Sequence, residues 1–163
     1  MEKVIEMLIR QAKLEDVLAI EEVHSRAYKI SYRGYLPDDF LDNLSINEDA
    51  LKKVRNFLKS GEGYVIEEQG KVIAFAFVST SQQECFEINA LYVDPDFQRS
   101  GAGSLLVNYL LEKKKQVGCK SCVVWTMSDG PSVGFYEKLL FVKTQNKKMW
   151  KFGISIIELI RLL

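Results

Sequence analysis

Histidine occurs once, at His24, and cysteine and proline three times each in 163 residues. Three cysteines, Cys85, Cys119 and Cys122, are too few and odd in number for a disulfide framework, which points to a reducing compartment. Cys119 and Cys122 form a lone C-x-x-C. A zinc site would need a second ligand pair that one histidine does not supply, so no metal is expected. The two thiols read either as unremarkable flanks of a strand start or as a redox pair. Long apolar runs are also missing. The C-terminal stretch Ile154 to Leu163 is short and interrupted by Glu158 and Arg161, and Glu2, Lys3 and Glu6 stand where a signal peptide would need apolar residues. A cytoplasmic location without a membrane partner is the expectation. Net charge is absent too, with 22 Lys and Arg against 22 Asp and Glu, which excludes a globally basic nucleic-acid binder. That zero hides a split. Residues 1–97 carry 18 acidic and 11 basic residues, whereas residues 98–163 carry 4 acidic and 11 basic.

What is present fits one globular domain over residues 1–163, with 47% apolar and 27% charged residues. Ile5, Met7 and Ile9 alternate with polar neighbours and predict a first strand. Val17, Leu18, Ile20, Val23 and Ala27 follow at helical spacing, with Glu15 and Asp16 at the start, where the helix dipole favours acids. Short helices are predicted over 38–44 and 48–58. Strands over 64–67 and 72–79 flank Gln69-Gly70-Lys71 as a hairpin, and a third runs over 84–93 to the stop Asp94-Pro95. A glycine-rich loop then opens a helix beginning near Leu105. A short strand over 123–126, a helix over 132–139 and strands over 141–145 and 154–163 complete a layered α+β order.

Gln98-Arg99-Ser100-Gly101-Ala102-Gly103 between a strand and a helix is a candidate anion site. Glycine lets a ligand approach the backbone, and the N–H groups of the first helical turn point at an anion. Such turns are common, so the loop alone is weak. Neither usual nucleotide loop fits: G-x-G-x-x-G would need glycine where Leu106 stands, and a P-loop's Gly-Lys-Ser/Thr is absent.

The run from Leu91-Tyr92-Val93-Asp94-Pro95 to Gly103 resembles the acetyl-CoA motif of the GNAT acetyltransferase superfamily, in which a strand ending L-Y-V-x-P leads into Q/R-x-x-G-x-G/A. Phe135-Tyr136-Glu137-Lys138-Leu139-Leu140-Phe141 resembles the family's second signature, F-Y-E-K-x-G-F. The segment Ser25 to Leu41 is similar to the N-terminal part of small bacterial members. Two departures stand out: Leu140 replaces the usual glycine, and Asp129 stands where asparagine is commoner.

This resemblance implies a central mixed, mostly antiparallel sheet of about seven strands flanked by about four helices and splayed at the cofactor site. It also implies an acetyl-CoA-dependent N-acetyltransferase acting by direct attack of a primary amine. Backbone amides from Arg99, Ser100, Gly101, Ala102, Gly103 and Ser104 would grip the pyrophosphate, with Gln98 as a further cofactor-binding residue. Leu91, Tyr92 and Val93 would pair with the pantetheine arm, with the Leu91 N–H polarising the thioester carbonyl. Asp129 and Ser132 would add side-chain contacts. Tyr136 would protonate the leaving thiolate, its phenol pKa of about 10 being matched to that task. The amine must lose a proton, and Glu87 is the candidate base, with Glu84 second.

Tyr28, Tyr32, Tyr35 and Trp150 are candidate acceptor-site residues, and read equally as core or as a dimer face. His24 reads as structural, and Lys113 to Lys115 as the solvated end of a helix. Ile154 to Leu163, apolar on both strand faces, is expected to be able to pair across a homodimer. A non-catalytic acyl-CoA-binding or sensing module is the alternative function. The basic portion begins at the loop that would face a polyanionic cofactor, and the acidic portion suits a cationic acceptor.

Overall fold

A computed structural model describes residues 6–81 and 84–163. Ile5, assigned above to the first strand, and the charges at Glu2 and Lys3 lie outside the described residues. The strands β1 (Met7–Gln11), β2 (Glu62–Glu68), β3 (Lys71–Ser81), β4 (Cys85–Val93), β5 (Ser121–Met127), β6 (Val142–Met149) and β7 (Ser155–Leu162) form a seven-stranded mixed sheet in the order β1-β2-β3-β4-β5-β7-β6. Five α-helices accompany them: α1 (Val17–Ser31), α2 (Asp38–Asp42), α3 (Glu48–Ser60), α4 (Ala102–Gln116) and α5 (Ser132–Lys138). The chain falls into two compact units, residues 1–78 with 90–107, and residues 79–89 with 108–163.

In the first unit, β2 pairs antiparallel with β1 and β3. The β2–β3 turn places Gln69 at φ 51° and Gly70 at φ 77°, the left-handed pair that matches strand twist in a two-residue hairpin. Val17, Ile20 and Val23 of α1 and Val54 of α3 pack on Val65, Val72 and Phe75 of the sheet. Burying each such side chain is worth about 1.5–3 kcal/mol. The α3 start is capped by Asn47, whose side chain accepts from the Ala50 N–H at 2.9 Å. At the start of α1, the Arg10 guanidinium spans both oxygens of buried Asp16 at 2.7 and 2.8 Å and also reaches Glu67. That partner holds the Asp16 carboxyl below the usual carboxylate range.

In the second unit, Cys85–Ile88 of β4 pair parallel with Ser121–Val124 of β5, and β5 and β6 pair antiparallel with β7. Phe86, Ile88, Cys122, Val124, Ile157 and Leu159 are buried on one face of these strands. Two expectations change here. The stretch Ile154 to Leu163, read above as able to pair across a homodimer, forms β7, an interior strand with both edges hydrogen-bonded. One of its faces is buried through Ile157 and Leu159, and the other, with Ile156 and Ile160, is half-buried. The edge strand is β6, which runs to Met149 rather than ending near Gln145. Its polar run Lys-Thr-Gln-Asn-Lys-Lys has little intrinsic strand preference, and the β7 ladder supplies what propensity does not. No helix among the described residues is long and apolar enough to cross a membrane.

Candidate active site

In the first unit, β4 ends at Leu91-Tyr92-Val93 and turns through a short 3-10 segment, Pro95–Phe97. Asp94 organises this turn from a buried position. Its N–H donates to the Ile73 carbonyl at 2.7 Å. Its carboxylate accepts from the Asp96 N–H at 2.9 Å and from Arg26 at 2.6 Å. Arg26 also reaches Asp96 at 3.2 Å, so α1 braces the strand end from below. The Gln98 side chain donates to the Val93 carbonyl at 3.4 Å.

The loop that follows uses left-handed backbone at Arg99 (φ 65°) and Gly101 (φ 86°). A Cβ at Gly101 would meet nothing within 4 Å, so the glycine leaves open space above the loop. Ala102 starts α4, and the Leu105 N–H donates to the Gly101 carbonyl at 2.9 Å as its first helical bond. The N–H groups of Ala102, Gly103 and Ser104 precede that bond and point out of the helix start. No acid stands in the first turn, so the positive end of the dipole is not neutralised there. Arg99 and Ser100 are exposed and Ser104 half-buried. An open glycine, outward amides and an adjacent guanidinium are a fit for a pyrophosphate.

Three of the tyrosines named from sequence lie together in this unit. Tyr28 packs on Tyr32 at 4.4 Å and on Tyr92 at 6.3 Å between ring centroids, with His24 at 5.3 Å from Tyr28 and 5.0 Å from Tyr92. Tyr28 is buried, and burial pushes its phenol up to about 12. Tyr35 is exposed. The His24 ring nitrogen Nδ1 lies 3.2 Å from the buried Glu21 carboxylate. A cavity of about 520 Å³ between α1 and the β2–β3 turn is lined by Arg26, Lys71, Asp94 and neighbours, and by none of the predicted site residues.

In the second unit, β5 leads to exposed Asp129, then to Ser132 at the start of α5 and Tyr136 one turn later. Tyr136 is buried, its ring edge-on to Phe135 at 5.0 Å and to Phe141 at 5.3 Å. Leu140, where the resembled motif has glycine, sits at φ 67° with its side chain exposed. Glu87 lies half-buried on β4, and burial raises its carboxyl pKa. Lys148 opposes that shift and Glu158 adds to it. Glu84, the second candidate base, is exposed and paired with Lys120 at 2.8 Å. Trp150 is half-buried just before the turn into β7. Burial pushes the Cys122 thiol well up, which removes its thiolate character. No group of three His, Cys, Asp or Glu suited to a metal occurs among the described residues.

Sequence reasoning missed two arrangements. One is the Arg26–Asp94–Asp96 brace, whose local half was signalled by Asp-Pro-Asp, an N-cap pattern with proline at the first helical position. The other is the polar group around Glu158, which depends on cross-strand register and has no local signal.

A sequence model of the Acetyltransferase (GNAT) family matches residues 17–141. The chain is 35% identical over 133 residues to an uncharacterized N-acetyltransferase, YuaI, of Bacillus subtilis, covering 79% of this chain and 76% of that protein. Among solved structures, a GCN5-related N-acetyltransferase from Rhodopseudomonas palustris superposes with TM-score 0.79 at 17% identity, covering 99% of both chains. The PaiA N-acetyltransferase of Thermoplasma acidophilum, in complex with coenzyme A, gives TM-score 0.74 at 18% identity over 94% of this chain and 98% of that one. The chain belongs to the GNAT acetyltransferase family.

Proposed function

We propose that this acetyltransferase moves the acetyl group of acetyl-CoA to a primary amine of a small cationic acceptor, by direct attack and without an acylated enzyme. The observation that carries the reading is the loop between β4 and α4, where open Gly101, Arg99 and the outward amides of Ala102, Gly103 and Ser104 suit a polyanion. Gln98 and Ser100 complete that grip. Leu91, Tyr92 and Val93 offer backbone beyond the last β4–β5 pair, Ile88↔Val124, for the pantetheine arm, with Asp129 and Ser132 as further contacts. Acetyl-CoA, when bound, supplies the activated thioester.

The chain's own residues handle the protons. An alkylamine of pKa about 10 is neutral in only about one molecule per thousand at pH 7, a deficit of roughly 4 kcal/mol. Glu87, whose carboxyl is raised by burial, accepts the proton that attack requires. Tyr136 donates a proton to the departing sulfur. Cys122 is not used as a nucleophile, since burial keeps it a thiol. Tyr28, Tyr32, Tyr35 and Trp150 are assigned to the acceptor side.

The test is release of free thiol from acetyl-CoA across a panel of amines. Turnover is expected with cationic primary amines. Tight CoA binding without turnover on any amine would instead identify a non-catalytic acyl-CoA-binding module.

A further inference from the structure

The face of the second unit's strands opposite Phe86, Cys122 and Leu159 carries, beside Glu87, three groups that the transfer step leaves unexplained. The registers Glu87↔Val123, Trp125↔Glu158 and Lys148↔Ile156 bring Glu87, Trp125, Glu158 and Lys148 to that one face. The Lys148 Nζ lies 4.2 Å from the centroid of the Trp125 ring, well within cation–π range. Glu158 Oε1 accepts from Thr144 Oγ1 at 3.0 Å and from Asn146 Nδ2 at 2.9 Å. Thr144 Oγ1 in turn accepts from the Asn146 N–H at 3.1 Å, across the bulge that breaks the β6–β7 register between Lys143 and Lys147. The carboxylate is therefore held by two donors rather than free to follow a mobile partner. Glu87 feels both charges, Lys148 drawing its pKa down and Glu158 pushing it up.

An aromatic face that already holds one ammonium, with an anchored carboxylate and a second, half-buried carboxylate on the same face of the strands, makes a setting suited to an ammonium. Lys148 is exposed on the edge strand, yet its ammonium lies over the indole ring rather than straight out into water, where strongly hydrated ammonium groups on flexible stems extend by default. We propose that Trp125, Glu158 and Glu87 form a binding site for an alkylammonium group on an unbranched methylene chain, and that Lys148 is its built-in occupant, which such a ligand displaces. The internal occupant defines the class: a lysine side chain is a primary ammonium on four methylenes, so diamines, polyamines and lysine side chains of peptides share the recognised chemistry. This deepens the acceptor reading and rests on it only for the role of the bound amine in transfer. The binding claim stands without acetyl-CoA.

The experiment measures the Kd of 1,5-diaminopentane by calorimetry without acetyl-CoA, for the wild type, Lys148→Ala, Lys148→Arg and the double variant Lys148→Ala/Glu158→Gln. Lys148 is exposed at the sheet edge, and thermal melts confirm that each variant is folded. Removing the occupant should tighten binding by about tenfold, while Lys148→Arg, which keeps a cation over the ring, should not. Glu158→Gln should abolish the gain, and 1,5-pentanediol should show no binding in any variant. Equal affinity in wild type and Lys148→Ala, a gain that survives Glu158→Gln, or diol binding as tight as diamine binding would each overturn the proposal. Thiol release with the same diamine is read separately. A gain in binding without thiol release supports the site and removes this amine as acceptor; thiol release whose KM is unmoved by Lys148→Ala keeps the transfer reading and overturns the site.

Discussion

Leu140 occupies a left-handed backbone position that a side chain makes unfavourable by roughly 1–2 kcal/mol. Its side chain is exposed, so little apolar burial offsets this. Leu140→Gly should raise thermal stability by about 0.5–1 kcal/mol, less than the full strain because glycine also loosens the unfolded chain, as a denaturant midpoint would show. Tyr136→Phe keeps the ring between Phe135 and Phe141 and removes only the hydroxyl, so kcat should fall by roughly 10²-fold with CoA affinity nearly constant. An unchanged kcat would exclude Tyr136 from proton transfer. Asp16 carries a pH signature. Its folded-state pKa is held below the unfolded value by Arg10, so its stabilisation is present above the usual carboxylate range and lost as pH falls through the folded pKa. Asp16→Asn should cost about 1–3 kcal/mol at neutral pH and flatten the acid limb of the stability profile.

Among the elements, the join of β4 to α4 was the most legible in sequence, because its properties are local. Gly101, Gly103, the Asp94-Pro95 stop and the apolar spacing from Leu105 each act within a few residues. Gly101→Leu should weaken CoA binding at least tenfold without a matching loss of fold, since the new side chain enters the open space above the loop and the positive φ adds modest strain. Affinity equal to wild type, by calorimetry, would mean that the loop is not the phosphate site. The β6–β7 hairpin was the least legible. Asn146 to Met149 carry no strand signal until β7 pairs with Lys147, Lys148 and Met149, and Glu158 meets Thr144 and Asn146 only through a bulge whose position no local pattern announces. The apolar run Ile154 to Leu163 indicated a strand, but whether that strand lies at an edge or inside the ladder depends on which strands flank it, which the run itself does not encode. The Arg26–Asp94 pair is equally non-local, joining residues 68 apart in the chain.

At the scale of the whole molecule, the neutral total divides into an acidic portion before Gln98 and a basic portion from it onward. If the basic portion faces the polyanionic cofactor, CoA binding should weaken as ionic strength rises from about 0.05 to about 0.5 M, where the screening length contracts severalfold. A salt-independent KM for acetyl-CoA would show that backbone amides, not the field of the chain, do the holding. The lysines of β6 have a different consequence. An outermost strand with unpaired hydrogen-bonding groups is a template on which a second molecule can grow, and repulsion between ammonium groups is the barrier to that growth. Lys143→Gln/Lys147→Gln, which removes two of those charges, should therefore scatter more light on storage than the wild type at equal concentration.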